Sequence, residues 1–272
     1  MRQQKYVVSL VTIVGLLIGA GVTYRKNYRG STCEEIEAAR KALRGDCASA
    51  AVITLRKHAH SQDTFVRTQA VSAAGDMGPE CKGLIREQCM EVVGEALDDP
   101  SGHVLHIAIQ DIGSFGVLAD SYINRLLAIS VRPHFTHAVF ALESLGRIGP
   151  GRREVGDRLV KAITEQYPID NAEEFPYRTD ALRVLRSWGV KACPWLLQLR
   201  HIRDSWRLER DNKLRSATEE QEGPALWGRR EELVGFEILA GVVESLEKQC
   251  STGGADSQAK PKRLEEKDTH NP

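Results

Sequence analysis

The sequence predicts an all-α protein, an array of stacked helical pairs preceded by one N-terminal transmembrane helix. Three observations carry that expectation. An uncharged run, Tyr6–Tyr24, opens the chain between basic clusters. An Ala- and Gly-marked helical pattern then recurs three times. The apolar content is 42% but only 6% of residues are aromatic, which suits close-packed helices better than sheets with aromatic cross-strand pairs.

Tyr6–Tyr24 holds 19 residues without a charge. As a helix it would reach roughly 28 Å, close to the hydrocarbon core of a bilayer. Arg2 and Lys5 precede it, and Arg25, Lys26 and Arg29 follow. The organisation expected is a short basic N-terminus (1–5), a transmembrane helix or signal anchor (6–24), a juxtamembrane segment (25–45), the helical array (46–249) and a disordered tail (250–272). A cleaved signal peptide is the competing reading of the N-terminus, although its apolar region is normally shorter. The flanks carry similar positive charge, so the positive-inside rule does not orient the span.

The repeat is clearest when aligned on Gly75, Gly113, Gly146 and Gly189, at intervals of 38, 33 and 43 residues. Five positions before each glycine stand Ala70, Ala108, Ala141 and Val184. Four before stand Val71, Ile109, Leu142 and Leu185, and one before stand Ala74, Ile112, Leu145 and Trp188. These columns fall on one side of a 3.6-residue helix and form an apolar stripe. The small residue at −5 admits a neighbouring helix. The first glycine is expected to close its helix in a left-handed conformation, and a second one follows at Gly78, Gly116 and Gly149. Each marked helix follows another apolar run: Ala48–Arg56, Leu84–Leu97, Tyr122–Val131 and Val155–Ile163. One pair cannot bury both of its apolar faces, so pairs must stack.

Asp63-x-x-Val66-Arg67-x-x-Ala70-x-x-Ala73-x-Gly75-x-x-Gly78 resembles the second-helix signature of the HEAT-repeat family in its bacterial form. The resemblance is clear over residues 46–192 and extends toward Gln249 without glycine markers. It implies a right-handed α-solenoid, a HEAT/armadillo-like superhelix whose second helices line a concave surface. The motif is architectural and nearly silent about chemistry.

If −5, −4 and −1 face inward, then −6 and −3 face the other way. Position −6 reads Gln69, Ile107, Phe140 and Arg183; position −3 continues with Gln110, Glu143 and Arg186. Ile107 and Phe140 make an apolar pair among polar neighbours, which has the composition of a protein-binding hot spot. Cover by loops or by the C-terminal helices is the alternative. Gln69, Ile107, Gln110, Phe140, Glu143, Arg183 and Arg186 are therefore the candidate partner-binding residues.

His103-x-x-His106 and His134-x-x-His137 have helical i, i+3 spacing but are out of register with each other, and no carboxylate completes a ligand set. No metal or cofactor is expected. HEAT-type deoxyhypusine hydroxylases depend on His-Glu dipeptides, and this chain has none. There is no phosphate loop and no Gly-x-Ser-x-Gly nucleophile elbow. No catalytic residue is expected; the rival in another class is a small HEAT-type enzyme, bilin lyase-like or DNA-repair-like.

After Pro194, Arg200, Arg203, Arg207 and Arg210 form a stripe beside Leu196, Leu199, Ile202 and Trp206. Two readings fit: contact with anionic lipid or an acidic partner, or a solvated face capping the last repeat, which must present something polar to water. With 37 basic and 37 acidic side chains, nucleic acid is not an expected partner. Residues Leu226–Leu246 are expected to form the closing helix. Six cysteines, Cys33, Cys47, Cys81, Cys89, Cys193 and Cys250, suit either bridging in an oxidising compartment or free burial. The expectation is a membrane-anchored, non-catalytic scaffold or adaptor that binds a protein partner through the concave face of its solenoid, with the solenoid outside the cytoplasm. The alternatives are a secreted solenoid with its N-terminus removed and a cytoplasm-facing one.

Overall fold

The computed structural model describes residues 30–131, 135–165, 174–216 and 225–256. The expected span Tyr6–Tyr24, most of the insertion at 167–175 and the tail beyond Asp256 lie outside the described residues. Among the described residues all regular elements are helical, and no helix is long and apolar enough to cross a membrane. The chain divides into two compact units, residues 1–149 and 150–272, where the sequence predicted one array.

Unit 1 holds α1 (30–46), α2 (Ser49–Ala59), α3 (Thr64–Met77), α4 (Gly83–Glu95), α5 (Gly102–Ile112), α6 (Ile123–Ile129) and α7 (Phe135–Ile148). α3, α5 and α7 are the glycine-marked second helices, and they stack in that order; α2, α4 and α6 are their first-helix partners. The caps follow from local chemistry. Asp63 accepts from the Phe65 amide at 3.0 Å to start α3, satisfying one of the donors that a helix start leaves open.

The inward columns are where the period places them. Ala70, Val71, Ala74, Ala108, Ile109, Ile112, Ala141, Leu142 and Leu145 are all fully buried. Each second helix thus buries an apolar stripe on both a first helix and the next second helix.

The folded region begins earlier than residue 46. Residues 30–46, expected as a juxtamembrane segment, form α1 and bury Ile36, Ala39 and Leu43. Buried His58 of α2 donates from Nε2 to Glu35 at 2.8 Å, Arg40 pairs with Asp76 of α3, and a disulfide joins Cys47 to Cys81 with Cα atoms 5.7 Å apart. An apolar i, i+3, i+7 stripe among many charges is legible only once its partners are known.

Two of the marker glycines work differently from expectation. Gly75 lies inside α3, and Gly113 has φ −62° at the end of α5. Neither is left-handed, whereas Gly189, the last of the four markers, has φ 58° as expected. A Cβ on Gly75 would overlap the carboxyl of Asp111, and one on Gly113 would lie 2.7 Å from Ser144 Oγ and 3.0 Å from its Cα. They let one second helix touch the next. The left-handed turn falls instead at the second glycine of that repeat, Gly116, with φ 58° and ψ −141°.

Unit 2 holds α8 (Arg153–Thr164), α9 (Glu174–Trp188), α10 (Leu196–Ser216) and α11 (Ala225–Asp256). α8 packs on α9, α9 on α11, and α11 on α10, so a second helical pair follows the first without a glycine signature. Val184, Leu185 and Trp188 of α9 are buried, as are Leu239, Val242, Val243 and Leu246 of α11. Trp195 packs edge-on to Trp188 at 5.7 Å, and its indole N–H donates to Asp157 at 2.8 Å. A disulfide ties Cys193 to Cys250, Cα atoms 5.8 Å apart. α11 therefore runs past residue 250, where a disordered tail was expected to begin.

Candidate protein-binding face

The second-helix positions −6 and −3 escape burial. In unit 1, Gln69 is exposed, and Ile107, Gln110, Phe140 and Glu143 are partly exposed. In unit 2, Arg183 and Arg186 are exposed. The sequence grouped these seven on one surface; the structure places five on unit 1 and two on unit 2.

On unit 1 the apolar centre is better defined than the sequence indicated. The ring of Phe140 on α7 meets His106 of α5 edge to face, with centroids 4.5 Å apart. His106 precedes Ile107, and its centroid is 6.2 Å from that of His137. Buried His137 donates from Nε2 to the Gly102 carbonyl at 3.0 Å. That bond sets one imidazole between α5 and α7, and the second imidazole steadies the phenyl ring. Aromatic pairs in this geometry add about 0.5–1.5 kcal/mol beyond area burial, so Phe140 is held in place while part of it stays accessible. His106 and His137 are thus packing groups. Among the described residues no cluster of three metal-ligating side chains occurs.

Arg67, part of the repeat signature, has a structural role that spacing alone missed. Its guanidinium forks onto Asp99, Nε to Oδ2 at 2.7 Å and Nη2 to Oδ1 at 3.0 Å, and Nη1 donates to the Ser61 and Gln62 carbonyls. Asp99 also accepts from the Ser101 amide at 2.8 Å. The side chains are only 13% and 9% exposed. The hydrogen bond to Asp99 raises the Arg67 pKa further above its ordinary value. Asp99 thereby anchors one repeat to the next.

Other charged and reactive groups are similarly committed. Arg183 pairs with Asp180 one turn earlier. Burial, set against that arginine, raises the Asp180 pKa. Burial pushes the Cys89 thiol up to about 11, which keeps it protonated at neutral pH. Asp111 is the outlier. Burial, with the charge of Asp76 second, lifts its carboxyl to about 7, and its buried Oδ2 has no hydrogen-bond partner.

Most of the arginine stripe of α10 is paired. Arg200 pairs with Glu247 of α11 at 2.7 Å and Arg203 reaches the same carboxylate at 3.6 Å. Arg210 pairs with Asp211 and stacks over Phe236 at 4.4 Å. Arg207 is exposed. Three of the four arginines clasp α10 to α11 or to its own acids, which favours the capping role over an anionic-surface site. An open groove of about 510 Å³ between α8 and α10, lined by Arg153, Asp157, Lys161, Gln198 and His201 among others, has mixed charge and no convergent donor set.

No family model matches the sequence, and no curated protein matches it. Among solved structures the chain is similar to an archaeal HEAT-like repeats protein from Thermococcus onnurineus NA1. Identity is 14%, the TM-score is 0.39, and the match covers 78% of this chain and 98% of that one. It is also similar to an engineered protein from a structural-genomics consortium, with 18% identity, a TM-score of 0.47 and 79% and 90% coverage. Scores this low carry no argument, so the repeat architecture rests on the columns, joints and ion pairs above.

Proposed function

We propose that the chain is a membrane-anchored, non-catalytic scaffold that binds a protein partner through a concave face lined by the solvent-facing side of its second helices, centred on Phe140 and Ile107. The carrying observation is the Phe140–His106 pair, an ordered aromatic left partly open on a face whose neighbours are polar. A fixed, half-open aromatic ringed by polar groups is the usual anatomy of a binding hot spot. Gln69, Gln110 and Glu143 supply the polar rim on unit 1. Arg183 and Arg186 offer a second, basic contact on unit 2. The anchor is the uncharged run Tyr6–Tyr24, long enough to span a bilayer.

The two disulfides support a location outside the cytoplasm, because such bridges persist in oxidising compartments. Labelling of intact cells with a membrane-impermeant thiol reagent, before and after reduction, tests this. Labelling that rises on reduction without lysis supports it, and labelling that needs lysis and ignores reduction contradicts it. For the binding face, Phe140→Asp should abolish partner capture by the full chain while the far-ultraviolet circular dichroism stays unchanged. Capture that survives the substitution would remove this face from the proposal.

A further inference from the structure

The two joints between second helices of unit 1 share one register. At the α5–α7 joint, Gly113 of one repeat meets Ser144, two residues before the marker glycine of the next. Ser144 Oγ is buried there and donates to the Ile109 carbonyl, four before Gly113, at 2.6 Å. At the α3–α5 joint, Gly75 meets Asp111, again two residues before the next marker glycine. The carbonyl four before Gly75 belongs to Val71. Asp111 therefore occupies the position of a hydroxyl donor, yet a carboxylate has nothing to donate.

We propose that Asp111 is a protonation-gated latch between the first two repeats: protonated, it donates to the Val71 carbonyl as Ser144 does to that of Ile109, and ionised, it loosens the α3–α5 joint. The absent side chain at Gly75 brings the carboxyl against the helix backbone, and the unpartnered Oδ2 is the atom that would carry the proton. On ionisation that proton leaves to solvent, and the joint holds a buried charge without a donor, the costly arrangement.

The surroundings favour the neutral acid. Asp76 on α3 faces Asp111 and repels its charge, and Arg40 of α1 is spent on Asp76. Glu91 and Glu95 of α4, and Glu143 and Arg147 of α7, leave the titration to burial and Asp76. With the folded carboxyl near pH 7 and an unfolded value of about 4, the folded state binds more protons across that interval. Stability from this group is therefore full below about pH 4, falls as pH rises through about 7, and is level above.

The test is thermal unfolding of the full chain from pH 5 to pH 8 at fixed ionic strength, beside Asp111→Asn and Asp111→Ser. Both variants keep a donor and cannot titrate. The melting temperature of the wild type should fall relative to both variants by about 4 °C or more over that range. The comparison cancels every group that the two substitutions leave in place. Three parallel curves would overturn the latch. Should the variants not fold, the side-chain carboxyl resonances of wild-type chain carrying 13C-labelled aspartate decide. One aspartate titrating near pH 7 supports the proposal, and titration of every aspartate below about pH 5 refutes it.

Discussion

The two units bring helices together by different means. Unit 1 removes side chains: Gly75 and Gly113 let each second helix rest on a polar side chain of the next, and Gly94 does the same for Tyr122. Unit 2 also admits a side chain over a glycine, but there it is an indole that fills the space. Trp195 lies over Gly156 and against Trp188, and a disulfide bridges Cys193 to α11. The two joints of unit 1, α3–α5 and α5–α7, can reuse one small contact because the second helices they join are alike.

The largest expected effect lies in unit 1. Asp99→Ala leaves the Arg67 guanidinium buried without its carboxylate and should cost about 3–5 kcal/mol, read by denaturant unfolding. A cost below about 1 kcal/mol would mean that Arg67 is solvated and the anchor is ordinary surface charge. Next comes the covalent tie of unit 2. Cys193→Ser opens a loop with a sequence separation of 57 residues and should cost about 4 kcal/mol on the chain-entropy account. The loss should match that produced by reductant in a chain whose other disulfide has been removed.

The smallest effect sharpens the contrast between glycines. Gly113→Ala places a methyl against the backbone of Ser144 and should cost about 1–3 kcal/mol. Gly241→Ala, on a stretch of α11 with open space around it, should stabilise by about 0.5–1 kcal/mol. Equal effects at the two sites would break the claim that Gly113 serves close approach.

Much of this was legible in the sequence, for a definite reason. The inward columns and the outward −6 and −3 positions depend only on helical period, and every named residue in them has the burial that the period assigns. What depends on distant partners was not legible. Arg200 meets Glu247 across 47 residues and Arg67 meets Asp99 across 32. The −2 column, Ala73, Asp111, Ser144 and Ser187, holds small or polar residues, but its meaning lies in the glycine of the preceding repeat. α1 was missed because its apolar stripe is thin and its neighbours are charged.

The binding proposal is most directly tested with a photo-crosslinking residue placed singly at Phe140, Ile107 and Ile53 of the full chain in its native cells. Ile53 is 70% exposed on the first helix α2, so it controls for exposure alone. Discrete adducts with one protein from Phe140 and Ile107, and none from Ile53, are the predicted result. The same adducts from Ile53, or none from any position, would contradict a partner seated on the second helices.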